Sequence, residues 1–559
     1  MPRRLSAISG SDVVWLLELR FGGRDYRWGT AHIALTNASS ESLDFAGGLE
    51  MSSYSESLDR FTYTADAQSI SLEIVFPDID LAEYVSRGFQ LGAIQGELSL
   101  VQTLNGSPQQ TYEQRSIVMR GSVSDAQFGQ PDRPAGYMAF SLEGALTQDS
   151  GSFLKSSDVV SSDRFGTLSA WPADNPHIDR PVPIVFGRPG RYRKAASDGT
   201  VTSTAGSPAY IIEMTVSGTL TQSLAVANHN VLATAVRTKS ERDGETQVIY
   251  ESVAGDSTPF SFVDFSDVDG SGTGTGFSSD EKGEREWWIG WTQSGGSALE
   301  NPYSLGQGLT GAGDLTRWAL NYSTIPVDWA AWQAVAETLN LYEFSGYISD
   351  HTITPWDWLQ EIWKFLPISV RRGVDGIYPV LHDLGLASNQ AVKITSSPDF
   401  SRAGPVQLEG SLADVYNRIE FSHAYNGRDN EARTYSAIGD YESYSKEPEA
   451  TSSAITVRSQ NRHGSRLMQE TSAYVYQRST ADKICYDLAR RHSLIPKTIQ
   501  YRADRSFVWL ELGDVVAITD EDLGYTDQVC QVIARGWDGD SWIFTLVFEE
   551  DPHRDTQGT

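Results

Sequence analysis

Several groups of residues in this chain have the types and spacing that chemistry would need. The run Asp269-Gly270-Ser271-Gly272-Thr273-Gly274-Thr275-Gly276 has the glycine density of a phosphate-cradling loop. Such a loop opens a helix and carries Lys-Ser or Lys-Thr, whereas these glycines alternate and lead into acidic and aromatic residues, so a hairpin tip is the expected form. Asp264, Asp267 and Asp269 ahead of Gly270 have the look of a calcium loop. The closing bidentate Glu would fall at Ser278 or Asp280, so a weak Ca²⁺ site stands as the alternative to a solvated acidic turn.

Nine histidines are scattered, with no His-Glu-x-x-His and no Cys/His cluster that would hold zinc. His229, between Asn228 and Asn230, is unusual by context and is expected to stabilise a turn rather than bind a ligand. Asp350, Asp357 and Glu361 lie near tryptophans, as glycosidase carboxylates often do. With 73 acidic residues, chance alone brings some pair within that distance, and solvated acids are the expectation. Trp287-Trp288-Ile289-Gly290-Trp291 would be a sugar-stacking platform if its rings shared one face. A strand sends neighbours to opposite faces, which favours core packing or an intersubunit contact. No Gly-x-Ser-x-Gly nucleophile elbow occurs. The reading therefore assigns no catalytic, cofactor-binding or metal-binding residue, expects no cofactor, and expects no enzyme.

The elements that would position such residues are mostly strands. Val13–Phe21 followed by Gly22-Gly23 and Tyr26–Trp28 reads as a hairpin, and Ser69–Phe76 alternates with Ile70, Leu72, Ile74 and Phe76 on one face. A short helix is expected near Asp80–Arg87, and strands at 96–104, 112–123, 137–143, 210–214, 223–227, 231–237 and 247–250. The chain turns helical after Gly313. Trp329, Trp332, Val335, Ala336 and Leu339 recur at helical spacing after Pro326 and Asp328. A second helix opens at Thr354-Pro355-Trp356-Asp357, carries Leu359, Ile362, Trp363 and Leu366, and stops at Pro367. The two stripes are expected to pack on each other, with strands at 342–348 and 376–381 between and after them. A last amphipathic helix, Ser479–His492 with Ser479 as its cap, leads to strands at 513–518, 528–534 and 542–548.

At 559 residues the chain needs more than one core. The expected organisation is a β-rich domain at 1–150, a Ser/Asp-rich linker at 151–179, a second β domain at 180–312, an α+β module at 313–400, and a C-terminal β-barrel-like domain with one helix at 401–559. The fold class is mainly β with α+β modules. A formal charge of −29 repels nucleic acid and anionic membranes, so sequence-specific nucleic acid is not an expected partner, although a channel that DNA passes without sticking is allowed. Cys485 and Cys530 are the two cysteines, expected to be reduced, one on the late helix and one in a strand. The first ten residues lack the apolar stretch of a signal peptide and no window reads as a transmembrane helix, so membrane insertion is not expected.

A shared order of short motifs resembles one family. Phe344-Ser345-Gly346-Tyr347-Ile348, then Thr354–Ile362, then Asp375-Gly376-Ile377-Tyr378, resembles the central module of bacteriophage tail hub and tail tip proteins. Val415–Phe421, the late helix Ser479–His492 and Leu512-Gly513-Asp514-Val515-Val516-Ala517-Ile518-Thr519-Asp520 are similar to later segments of that family. Pro183–Gly187 is comparable to a segment ahead of its second domain. The resemblance is best over 340–550. It implies a structural virion protein: a homotrimeric baseplate hub around the DNA ejection channel, assembled in the host cytoplasm. The implied partners are a tail tube or distal tail protein, a central fibre or spike, and the tape measure protein. The rival expectations are a tail-associated cell-wall hydrolase, which would need a further domain, and a carbohydrate-binding receptor module resting on the aromatic clusters.

Overall fold

The computed structural model describes residues 12–548 apart from 52–53, 59–68, 77–79, 92–93, 145–148, 162–176, 191–205, 217–218, 230, 232–235, 243–244, 252, 255–260, 265–286, 292–298, 374–375, 383–390, 409–411, 428–429, 440–449 and 452–453. The described chain is mainly β and multidomain, as its alternating apolar pattern requires. A ten-stranded sheet holds the N-terminal region, with Asp12–Phe21 at its centre between Arg24–Gly29 and Gln95–Leu104. The hairpin at its heart turns through Gly22 and Gly23, both at positive φ (57° and 80°), the geometry that matches strand twist and that other residues adopt at a cost. The expected face of Ser69–Val75 is buried at Ile70, Leu72 and Ile74, and Asp80 caps the helix Leu81–Ser86 through two backbone N–H groups.

A seven-stranded antiparallel sheet spans Ser207–Val216 to Trp287–Gly290. An eight-stranded sheet closes the C-terminal region in the order 392–395, 515–520, 525–537, 542–548, 497–503, 400–402. It takes two strands from elsewhere. Val392–Thr395, from the stretch expected to belong to the α+β module, pairs in parallel with Val515–Asp520, and Tyr54–Ser57 from the N-terminal region pairs antiparallel with Tyr525–Trp537. A single apolar core therefore runs between the N-terminal sheet and the C-terminal one, where Trp15 lies 6.0 Å from Trp542 and 6.4 Å from Trp537.

The helical module has its own core. Thr354 caps the helix Pro355–Trp363 as expected, accepting from the Asp357 N–H at 3.1 Å. Trp332 on the helix Trp329–Leu339 stacks on Trp363 at 5.5 Å and 19°, so the two apolar stripes meet. Both indoles are also anchored by hydrogen bonds, Trp332 Nε1 to the Ile377 carbonyl at 3.0 Å and Trp363 Nε1 to Thr316 Oγ1 at 3.1 Å.

The structure corrects several expectations. Trp329 is exposed, because as the first helical residue it precedes the turn that faces the core. Of the strand expected at 342–348, only Gly346–Ile348 pairs as one, since the Phe344 N–H turns to the Thr310 carbonyl and the Tyr342 carbonyl takes the Ala312 N–H. The late helix starts at Arg478, with Gln477 at its cap position and no side-chain cap bond, so Ser479 is not the cap. Two further helices, Ala312–Leu320 and Ala454–His463, escape the sequence reading; the first starts from Gly311 without a capping side chain and the second is polar. The expected linker is packed where described: Phe153 and Leu154 are buried, and Phe153 stacks on Trp318 at 5.5 Å. Asp149 fixes this stretch by accepting from the N–H groups of Gly151, Thr324 and Trp356 at 2.9 to 3.0 Å. Among the described residues no helix is long and apolar enough to cross a membrane.

Candidate functional site

The residues singled out for chemistry separate into structural roles or lie outside the described residues. The glycine run 269–276, Asp267, Asp269, Ser278 and Asp280 fall among those not described, and Asp264 ends the strand Ser261–Asp264. His229 Nε2 accepts the Val185 N–H at 3.1 Å and so fixes the strand Ile184–Phe186. Asp350 accepts from the Thr352 N–H and hydroxyl, both at 2.7 Å, which hold its carboxyl below the usual range. Asp357 receives the Thr354 hydroxyl at 2.8 Å and Glu361 pairs with Lys364 at 2.7 Å, so each of the three carboxylates is engaged within its own turn. Trp291 is buried with Nε1 on Ser207 Oγ at 2.9 Å, and Trp288 meets Tyr347 edge-on at 6.3 Å. Cys485 and Cys530 are free and buried, and burial pushes both thiols up to about 12. No group of three or more metal-ligating side chains occurs among the described residues.

One arrangement copies catalytic geometry. Ser369 Oγ lies 2.7 Å from His382 Nε2, and His382 Nδ1 lies 3.3 Å from Gln531 Oε1. Gln531 Nε2 donates to the carbonyls of Leu381 and Gly513, which turns its oxygen toward the imidazole and selects the Nδ1–H tautomer. The order of groups is that of a nucleophile, a base and an orienter. Ser369 is nevertheless fully buried, so no substrate carbonyl reaches it, and the relay acts as a tie between the hairpin 368–381 and the C-terminal sheet.

The most distinctive polar site lies where three distant segments converge. Glu56, on the strand Tyr54–Ser57, sits between Arg371 of the strand Ile368–Gly373 and Arg535 of the strand Tyr525–Trp537 and hydrogen-bonds both guanidiniums. The Glu56 and Arg371 side chains are buried and that of Arg535 is mostly so, and Arg371 Nη1 also donates to Tyr378 Oη at 2.8 Å. Burial alone would raise the Glu56 carboxyl, but the two arginines outweigh it and bring the group down to about 2. Desolvation and the negative Glu56 push the neighbouring Tyr54 phenol upward. Charge-assisted bonds of this kind are strong once made, and expensive if one partner is lost. Sequence reading missed the site because its members stand 315 and 479 positions apart. The one local signal is a glutamate that shares the inward face of a short strand with Tyr54, where a buried carboxylate needs a cation.

The motif segments also converge. Ile184–Phe186 pairs with Gly346–Ile348, register Val185 to Tyr347. Gly187 has φ +63°, and a Cβ there would stand 2.3 Å from Ser345 Oγ, so the close crossing of the two segments requires glycine. The Ser345 N–H reaches the Tyr474 carbonyl at 2.7 Å, and Tyr342 Oη donates to Asp487 on the helix Arg478–His492. That helix lies on the strands Arg418–Asn426 and Glu431–Ile438.

No protein-family model matches the chain, and no curated protein matches it. Among solved structures it is similar to a tail protein from Neisseria meningitidis MC58, at 11% identity and a TM-score of 0.36, covering 96% of this chain and 97% of that one. It is similar to the 43 kDa tail protein of prophage MuSo2 from Shewanella oneidensis at 9% identity and a TM-score of 0.35, covering 96% and 98%. A prophage tail protein, gp18, from Listeria monocytogenes EGD-e gives 9% identity and a TM-score of 0.31, covering 97% and 95%.

Proposed function

We propose that this chain is a structural virion protein, the central hub of a bacteriophage tail tip or baseplate, acting as a homotrimer around the ejection channel and performing no catalysis. Its partners in this reading are a tail tube or distal tail protein above, a central fibre or spike below, and the end of the tape measure protein. The observation that carries it is the meeting of segments that resemble the hub family. Pro183–Gly187 and Phe344–Ile348 cross as paired strands, and Tyr474, ahead of the late helix, lies on the crossing. A hub must also pass load between tube and fibre without coming apart. A chain whose N-terminal strand is a member of its C-terminal sheet meets that demand, because separation would break a ladder and strand a buried carboxylate.

Electron microscopy of the purified protein, with its mass from light scattering, tests the reading, together with antibody labelling of isolated tails. The expected result is a threefold ring with a central opening and label at the tail tip. Absence of the protein from isolated tails would overturn it. So would a clearing zone on a peptidoglycan gel that vanishes when a single Asp or Glu is changed to its amide.

A further inference from the structure

We propose that His423 is a proton-sensitive latch: neutral, it seats the helix Arg478–His492 on the strands Arg418–Asn426 and Glu431–Ile438, and protonated, it unseats that helix. This latch is independent of the hub reading. On the strand Arg418–Asn426 the residues Ile419, Phe421 and His423 alternate inward and are buried. The helix lays Ile484, Cys485 and Leu488 into the same core as Ile419 and Phe421, so the imidazole stands in a row that is otherwise apolar. Its Nε2 lies 3.4 Å from Ser436 Oγ, and the Ser436 carbonyl takes the Cys485 thiol at 3.4 Å; one serine thus joins the ring to the helix. Its Nδ1 is buried and has no hydrogen-bond partner among the described residues. An imidazolium needs an acceptor at both nitrogens and finds none there.

The charged groups on the elements around the ring do not help it hold a proton. Arg478, in the first turn of the helix, opposes a positive charge on it, and is itself in a half-exposed pair with Asp482 at 3.5 Å. Further along the helix Lys483 and Asp487 are turned to Tyr342, and burial keeps Cys485 a neutral thiol. The strand Glu431–Ile438 presents Thr434 and Ser436, neither of them charged. Tyr476 gives its hydroxyl to the Tyr425 carbonyl, and Arg418 and Glu420 pair with each other on the opposite face of their strand. Glu470 stands opposite Phe421 in the parallel pairing, but its interactions are with Lys364 and Glu361 at the end of the helix Pro355–Trp363. Burial, with Arg478 behind it, holds the imidazole down to about 4 from an ordinary 6.5. Opening of the helix returns it to the ordinary value, so the latch is whole above about pH 6.5 and is lost as pH falls toward 4. The same helix steadies the chain that leads into Gly346–Ile348: Thr480 Oγ1 accepts the Glu343 N–H at 3.0 Å, and Asp487 takes the Tyr342 hydroxyl. Unseating it loosens the crossing of the motif segments.

The test is amide hydrogen exchange of the full chain between about pH 7.5 and about pH 4.5, corrected for the intrinsic effect of pH, for wild type, His423→Gln and Glu470→Gln. In wild type and in Glu470→Gln the opening constant of the helix Arg478–His492 should rise about 30-fold by about pH 5, the factor that a shift from 6.5 to about 4 supplies. In His423→Gln it should stay within about threefold of its neutral-pH value. Should the glutamine variant fail to fold, His423→Phe fills the site with a ring that takes no proton. The latch is overturned if the wild-type helix shows no rise, if a folded His423 variant rises equally, or if the strand Asp12–Phe21 opens in step with the helix, since the opening is then global. Loss of the rise in Glu470→Gln overturns it too, because the carboxylate is then the sensor.

Discussion

The junction between the N-terminal and C-terminal sheets and the helical module are both held by buried side chains, but by opposite means. The module relies on aromatic packing, Trp332 on Trp363 and Phe153 on Trp318, with the indole N–H groups of Trp332 and Trp363 each making one hydrogen bond. The sheet junction adds to its apolar core a carboxylate with two guanidiniums drawn from three parts of the chain. Apolar packing degrades gradually when trimmed. A buried charge cluster is all or none, because each member depends on the others to be tolerable.

The sharpest way to break the comparison is Glu56→Ala, which leaves two buried arginines facing each other. It should cost about 3 to 5 kcal/mol in denaturant unfolding, and a loss below about 1 kcal/mol would show that water or another acid replaces the carboxylate. Replacing all three charges together by apolar residues of similar volume should restore most of that loss. Trp363→Ala, the corresponding cut in the module, should also cost about 3 to 5 kcal/mol, and an unchanged melting temperature would show the stripe is not core. Acid separates the two regions without mutation. The Glu56 carboxyl is held at about 2 against an ordinary 4.5, so its contribution is complete above about pH 4.5 and lost as pH falls toward 2. Tryptophan fluorescence of Glu56→Gln should lose that window, and Trp363→Ala should keep it. Gly187→Ala forces a Cβ into Ser345 at positive φ and should cost about 1 to 3 kcal/mol by thermal melt. Thr354→Ala should cost about 1 kcal/mol through the lost cap. Trp329→Ala, at an exposed helix start, should stay within about 0.5 kcal/mol.

The same contrast explains what the sequence made legible. Period and punctuation are local, so the strand Ser69–Val75, the Thr354 cap and the meeting of Trp332 with Trp363 could be read from neighbouring residues. Strand partnership is not local. Nothing around Tyr54–Ser57 says that its ladder lies with Ala534–Trp537, and nothing around Glu56 says which arginines it meets. The Ser369–His382–Gln531 relay was invisible for the same reason, and only its burial distinguishes it from a working nucleophile. Helices without a marked apolar stripe, such as Ala454–His463, were lost to a different cause: their stability comes from the tertiary setting rather than from their own pattern.

The strand Tyr54–Ser57 has a consequence in time as well as in space. It leaves the ribosome early, yet Arg535, which neutralises Glu56, is made 479 residues later. At typical synthesis rates that is a delay of about 25 to 100 seconds, far longer than a sheet takes to form. For that interval the Glu56 carboxylate keeps its hydration and the strand Tyr54–Ser57 lacks its ladder partner. A ribosome that stops short of Trp537 releases a protein that cannot complete this closure, so the junction locks only once the strand Tyr525–Trp537 has been made.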